Sequence, residues 1–159
     1  MDVTRRFPIL RLLGVLTVVG ATFVATACVD QPAPDKAAYV EAADDICDEA
    51  DDDIEDEIED LLDEIAAARE GEEATLNVTR RERWTRSKII PIYERMDSRL
   101  RSLRPPEGDH AYLGDVYDDL SRLIVEFNSK PSRGRAVVRD DEDLRNRFEA
   151  YGMRVCGRV

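Results

Sequence analysis

The sequence predicts an all-α protein, an up-down antiparallel bundle of about four helices preceded by an N-terminal export leader. Three observations carry this prediction. Apolar residues recur at steps of three and four over most of the chain, the spacing of a helix face and not of a strand. Short breaker-rich connections separate these stretches, so neighbouring helices run antiparallel. No alternating pattern long enough for a convincing strand is present, and no internal repeat stands out.

The first element covers 35–69. Its stripe is Tyr39, Ala43, Ile46, Cys47, Ala50, Ile54, Ile58, Leu61, Leu62 and Ile65. Pro34 and Asp35 give the start, with Asp35 as N-cap, and Gly71 gives the stop. Off the stripe nearly every residue is acidic. Positions 41–64 hold 15 Asp or Glu and no Lys or Arg. Like charges at i,i+4 repel, so this helix needs an apolar partner on one side and cations nearby.

The second element runs from Leu76 or Thr79 to Arg104. Thr79 and Glu82 match a capping box. Its apolar positions are Trp84, Ile89, Ile92, Tyr93, Met96, Leu100 and Leu103. Pro91 lies inside the pattern and predicts a kink one turn upstream, or a break near Lys88 into two shorter helices. Charge reverses here. Positions 80–104 carry nine Lys or Arg against three acids, so this element is expected to lie antiparallel against the acidic one. Exposed pairs contribute ~0–1 kcal/mol each, so they select the partner more than they stabilise it.

Pro105-Pro106-Glu107-Gly108 is a stop and turn. Asp109 is expected to cap a third helix reaching about Asn128, with Leu113, Val116, Leu120, Leu123, Ile124 and Phe127 inward. Positions 129–134 read as a loop, and 136–138 are too short to assign. Asp140 is expected to cap a fourth helix whose acidic first turn suits the helix dipole. Leu144, Phe148 and Tyr151 face inward there. Gly152 suits a left-handed C-terminal cap followed by apolar Met153.

The leader occupies 1–27. Arg5 and Arg6 form a positive start, and 12–27 is an apolar run of 16 residues, short of the ~20 a membrane span needs. It ends Ala25-Thr26-Ala27-Cys28. Small residues before a Cys read as a lipobox, which makes Cys28 the lipidation site and 28–34 a tether. Ala25 and Ala27 also fit ordinary signal-peptide cleavage, and a third reading keeps the leader as an uncleaved anchor. Position −3 holds Ala where a lipobox usually has Leu, and Pro8 weakens the twin-arginine hint of Arg5-Arg6. Cutting before Cys28 leaves 132 residues, one domain of ordinary size, 35–159 being the bundle. The 1–27 segment has three Arg and one Asp, so the net charge of −12 becomes −14 without it. Such charge argues against nucleic acid and anionic lipid headgroups as partners.

The chain has three Cys. With lipid on Cys28, Cys47 and Cys156 remain as one pair in an oxidising compartment. In an up-down bundle the end of the fourth helix arrives beside the N-terminal part of the first, which places Cys156 near Cys47.

The leader ending in Cys28, the run Tyr39-Val40-Glu41-Ala42-Ala43-Asp44-Asp45-Ile46-Cys47, the pieces Leu100 and Leu103-Arg104-Pro105-Pro106, and Tyr151-Gly152-Met153-Arg154-Val155-Cys156-Gly157 resemble a group of small actinobacterial exported lipoproteins with no assigned activity. The matching pieces cover under a third of the mature chain. The resemblance implies a helical fold with one disulfide and no reaction. The dense acidic run departs from the group.

Candidate sites weigh as follows. Asp48, Asp51, Asp52, Glu55, Asp56 and Glu59 put carboxylates on one face, but a straight helix lacks the loop that wraps Ca²⁺; a solvated acidic face is expected, with no metal. His110, the single His, is expected at an exposed helix start without a nucleophile. Trp84 and Tyr93 read as core rather than pocket. Asn77-Val78-Thr79 is a sequon without expected meaning in a bacterium. No catalytic residue, cofactor or nucleic-acid surface is implied. The leading expectation is a lipid-anchored exported envelope protein, on the outer face of the cell membrane or secreted, that binds a partner and is not an enzyme. The alternatives are an enzyme with a site assembled from dispersed acidic residues, and a structural envelope protein with no discrete ligand. A deep pocket would favour the enzyme, and a filled core with exposed apolar surface would favour a protein partner.

Overall fold

Asp35 starts the first helix as its sequence context requires: its Oδ1 accepts from the Ala38 amide at 2.8 Å. Helix α1 then runs Lys36–Ala68. This computed structural model describes residues 33–68, 78–133, 135, 138 and 140–158, and Pro32–Val159 forms one compact unit. The leader 1–27, Cys28, most of the tether and the stop at Gly71 lie outside the described residues.

The second element is one helical run in three parts: α2 at Val78–Trp84, a π-helical turn at Thr85–Ile89 and α3 at Ile90–Ser102. The run is distorted one turn before Pro91, not broken. Pro91 has no N–H, and its ring would clash with the carbonyl of residue i−4. The backbone accommodates this by widening, so that the Ile90 amide bonds to the Thr85 carbonyl, an i→i−5 bond. Thr79 lies inside α2 and not before it, so the expected capping box does not form there.

Leu103 leaves the helix with extended backbone. The Asp109 amide bonds to the Pro106 carbonyl at 3.2 Å, closing a turn that needs Gly108 at φ 90°. Helix α4 is His110–Ser129, a short 3₁₀ turn follows at Pro131–Arg133, and α5 is Glu142–Tyr151. Two expected caps are corrected. Asp109 stands at the N-cap of α4 but its side chain does not cap; it serves Tyr151 instead. At α5 the cap is Asp141 and not Asp140, because Asp141 Oδ1 accepts from the Leu144 amide at 2.8 Å. Gly152 takes φ 114° and ends α5 as expected. Its amide bonds to the Glu149 carbonyl, and the Met153 amide bonds to the Phe148 carbonyl, which satisfies the last free carbonyls. Among the described residues there is no strand, and no helix is long and apolar enough to cross a membrane.

The helices run antiparallel in sequence order. Glu49, Asp53, Glu57 and Glu64 of α1 meet Arg99, Arg95, Lys88 and Arg80 respectively, so α1 ascends as its partner descends. Arg101 meets Asp118, and Arg86 meets Asn128, which gives α4 the opposite sense to α3. One core joins all four arms: Tyr39 to Ile54 of α1, Ile89 to Leu100, seven residues of α4, and Leu144, Phe148 and Tyr151 of α5. Val138 and Met153 are buried with them.

The stripe of α1 departs from expectation at its far end. Ile58, Leu61 and Ile65 are only partly buried, and Leu62 is 57% exposed. A stripe is buried only where another element reaches it. The core residues of α1 end at Ile54, although the helix continues 14 residues beyond, to Ala68.

Candidate functional site

The seam between α1 and the α2–α3 arm is a ladder of ion pairs above an apolar floor. Its pairs span 2.5 to 3.1 Å, and the charged side chains are largely exposed. Such pairs contribute little individually. Their placement on one flank of α1 is the informative feature, because it shows how this helix receives a basic amphipathic partner. Beside the π turn and Pro91 the seam holds a groove of about 280 Å³ lined by Asp53, Asp56, Glu57, Asp60, Ser87, Lys88 and Arg95. Beside Met96, Leu120 and Phe148, a partly open gap that reaches Arg145 and Gly157 is about 10 Å³, no roomier than a single water requires.

A second cluster sits where α1 begins. The hydroxyls of Tyr39 and Tyr117 meet at 2.5 Å, and the Tyr151 hydroxyl donates to Asp109 at 2.6 Å. Tyr151 stacks on Tyr112 at 5.6 Å and meets the edge of Tyr39 at 6.1 Å. Lys36 Nζ lies 4.0 Å above the Tyr151 ring, a cation–π contact. Burial pushes Tyr39, Tyr117 and Tyr151 above the ordinary tyrosine value of 10.0. The bond to Asp109 raises Tyr151 further and the bond to Tyr39 raises Tyr117 further, whereas Tyr39 is partly lowered by Tyr117.

A pH dependence follows. Above pH ~10 the unfolded chain releases phenolic protons that these native tyrosines hold. Their contribution to stability is present below that pH and is lost as pH rises through the higher native values. In an alkaline titration, the main rise in tyrosinate absorbance is expected to coincide with loss of helical circular dichroism. All tyrosines ionising while the helices stay intact would contradict this.

The third constellation ties the C-terminus down. Cys47 and Cys156 form a disulfide, Cα atoms 5.1 Å apart. Beside it the Asp44 carboxylate accepts from three successive amides, Arg154 at 3.2 Å, Val155 at 2.9 Å and Cys156 at 3.2 Å. Arg135 bonds to Asp51 at 2.9 Å and faces Tyr93, which pins the loop between α4 and α5 to α1.

The chain matches no protein-family profile, no curated protein and no solved structure. Its chemistry is therefore read from these clusters alone. His110 is the first residue of α4 and is exposed. Tyr93 is fully buried, and Trp84 is partly buried against the core. Among the described residues, no three His, Cys, Asp or Glu side chains gather to hold a metal ion. Asp51 turns to Arg135, while Asp48, Asp52, Glu55 and Glu59 stay exposed. Three residues escaped sequence reasoning. Tyr117 had a signal, since 113, 117, 120, 124 and 127 keep helical spacing. Asp44 and Arg135 had none, because their roles depend on segments far along the chain.

Proposed function

We propose that this chain is an exported, lipid-anchored envelope protein that works by binding a partner through its helical faces. The observation that carries the reading is that α1 outruns the core and leaves Leu62 exposed beside uncovered acids. A partly open seam groove lined by charged side chains fits a surface that recognises another molecule better than a chamber for chemistry. The disulfide accords with an oxidising compartment. The small residues before Cys28 and the resemblance to small exported lipoproteins support the anchor, with α1 starting eight residues after that cysteine.

The anchor is tested on cells fed an alkyne fatty acid. The protein is expected to carry the label, and Cys28→Ser is expected to lose it. Label persisting on Cys28→Ser, or absent from the unaltered protein, would overturn lipidation at this residue.

A further inference from the structure

Helix α1 is 33 residues long, ~50 Å, and its outer part has two unlike flanks. On one flank Glu57 and Glu64 are paired with Lys88 and Arg80. On the other, Glu55, Glu59 and Asp63 are exposed and form no ion pair among the described residues. Nearer the N-terminus that second flank is occupied by Arg135 on Asp51 and by the C-terminal amides on Asp44. Past Ile54 no described element takes their place. Of the apolar residues past Ile54, which fall at i, i+3, i+4 and i+7, Leu62 is 57% exposed, Leu61 and Ile65 are half-buried, and Ile58 is half-buried against the core. Theirs is the anchor spacing by which a helix receives a second helix.

We propose that this outer face of α1 docks a helix from another polypeptide, apolar along one stripe and flanked by Lys or Arg. The inference rests on reading the chain as a binding module, and it names the partner's chemistry. Charge complementarity selects this occupant over the others. The α2–α3 arm already docks on the first flank by pairing an apolar stripe and basic residues with apolar residues and acids, and the second flank repeats the receiving half of that arrangement. The connecting segment 69–77 carries Glu70, Glu72 and Glu73 against Arg69, so it brings charge of the same sign. A second copy would bring its own acidic helix to this one, within a chain of net charge −12.

The test uses the full chain in a non-ionic detergent. It is titrated with a fluorescent synthetic helix carrying Leu at i, i+3/i+4 and i+7 and Lys on both sides, and separately with a Glu-flanked twin. Binding of the Lys-flanked peptide is expected to weaken with salt, and the twin is expected to bind far less. Leu62→Glu should weaken binding roughly tenfold or more. Glu55→Lys with Glu59→Lys should weaken it similarly. Val125→Glu, on an α4 residue 69% exposed, should leave it unchanged. All of these sites are exposed, and circular dichroism confirms that each variant is folded. No binding, equal loss with Val125→Glu, or equal binding of the twin overturns the proposal. A dimer that Leu62→Glu dissociates would make a second copy the occupant and overturn it too. The broader reading fails by a different sign: crosslinkers placed on every exposed face in intact cells would capture no neighbour from any of them.

Discussion

Removing the Cys47–Cys156 bridge is expected to lower the stability of the domain by about 2–4 kcal/mol. The two cysteines are 109 residues apart in sequence. Opening so long a loop returns much conformational freedom to the unfolded chain, nominally ~4–5 kcal/mol, of which native-state relaxation gives back a part. A typical domain has only ~5–15 kcal/mol in total. The loss should concentrate on the C-terminal segment. Asp44 and the disulfide hold the same few residues, so Asp44→Ala and Cys47→Ala/Cys156→Ala should combine non-additively. Denaturant unfolding of the single, double and triple variants measures this. Coincident midpoints for oxidised protein and the Cys47→Ala/Cys156→Ala variant would reject the stabilising role. Two alkylatable thiols at Cys47 and Cys156 in unreduced, freshly purified protein would reject the bridge itself.

Phe127→Ala is expected to cost about 3–5 kcal/mol. Phe127 is fully buried and meets Tyr93 edge to face, with centroids 5.9 Å apart and planes at 78°. Truncation leaves a cavity between α3 and α4 and removes the ring against which Tyr93 is set. Tyr93 in turn faces Arg135, which holds the α4–α5 loop to Asp51. The damage therefore spreads to α1. Phe127→Leu, which refills most of the space, should cost roughly 1–2 kcal/mol. Val125→Ala, two residues away and exposed, should stay within about 0.5 kcal/mol. Thermal or denaturant unfolding separates the three. A loss for Phe127→Ala as small as that for Val125→Ala would contradict this account of the core.

What the sequence determined by itself is local or additive. Helical stripes depend on a 3.6-residue period that any window reveals, so most of the inward faces of α3, α4 and α5 were legible, Ile90 and Tyr117 being the buried residues left out of the stripes. Pro91 announced a disturbance one turn upstream because its missing N–H acts on its own helix. The charge reversal between α1 and the α2–α3 arm named neighbours before any packing was known. An odd cysteine count, together with bundle topology, named Cys47 and Cys156.

Only the tertiary structure decided where these patterns end. Burial requires a second surface, so the α1 stripe reads the same at Ile54 and at Leu62, and only the reach of the other helices separates core from exposed face. The 15 acids in 41–64 are near-equivalent as a string. Asp44 became a clamp because the C-terminal amides arrive there, and Asp51 became a partner because Arg135 does. Asp109 was given to Tyr151 and not to its own helix by the approach of α5, while Asp141 took the cap for which Asp140 was equally suited. In each case a polar group with several possible partners was assigned by geometry built from residues far away in the chain, which no local pattern contains.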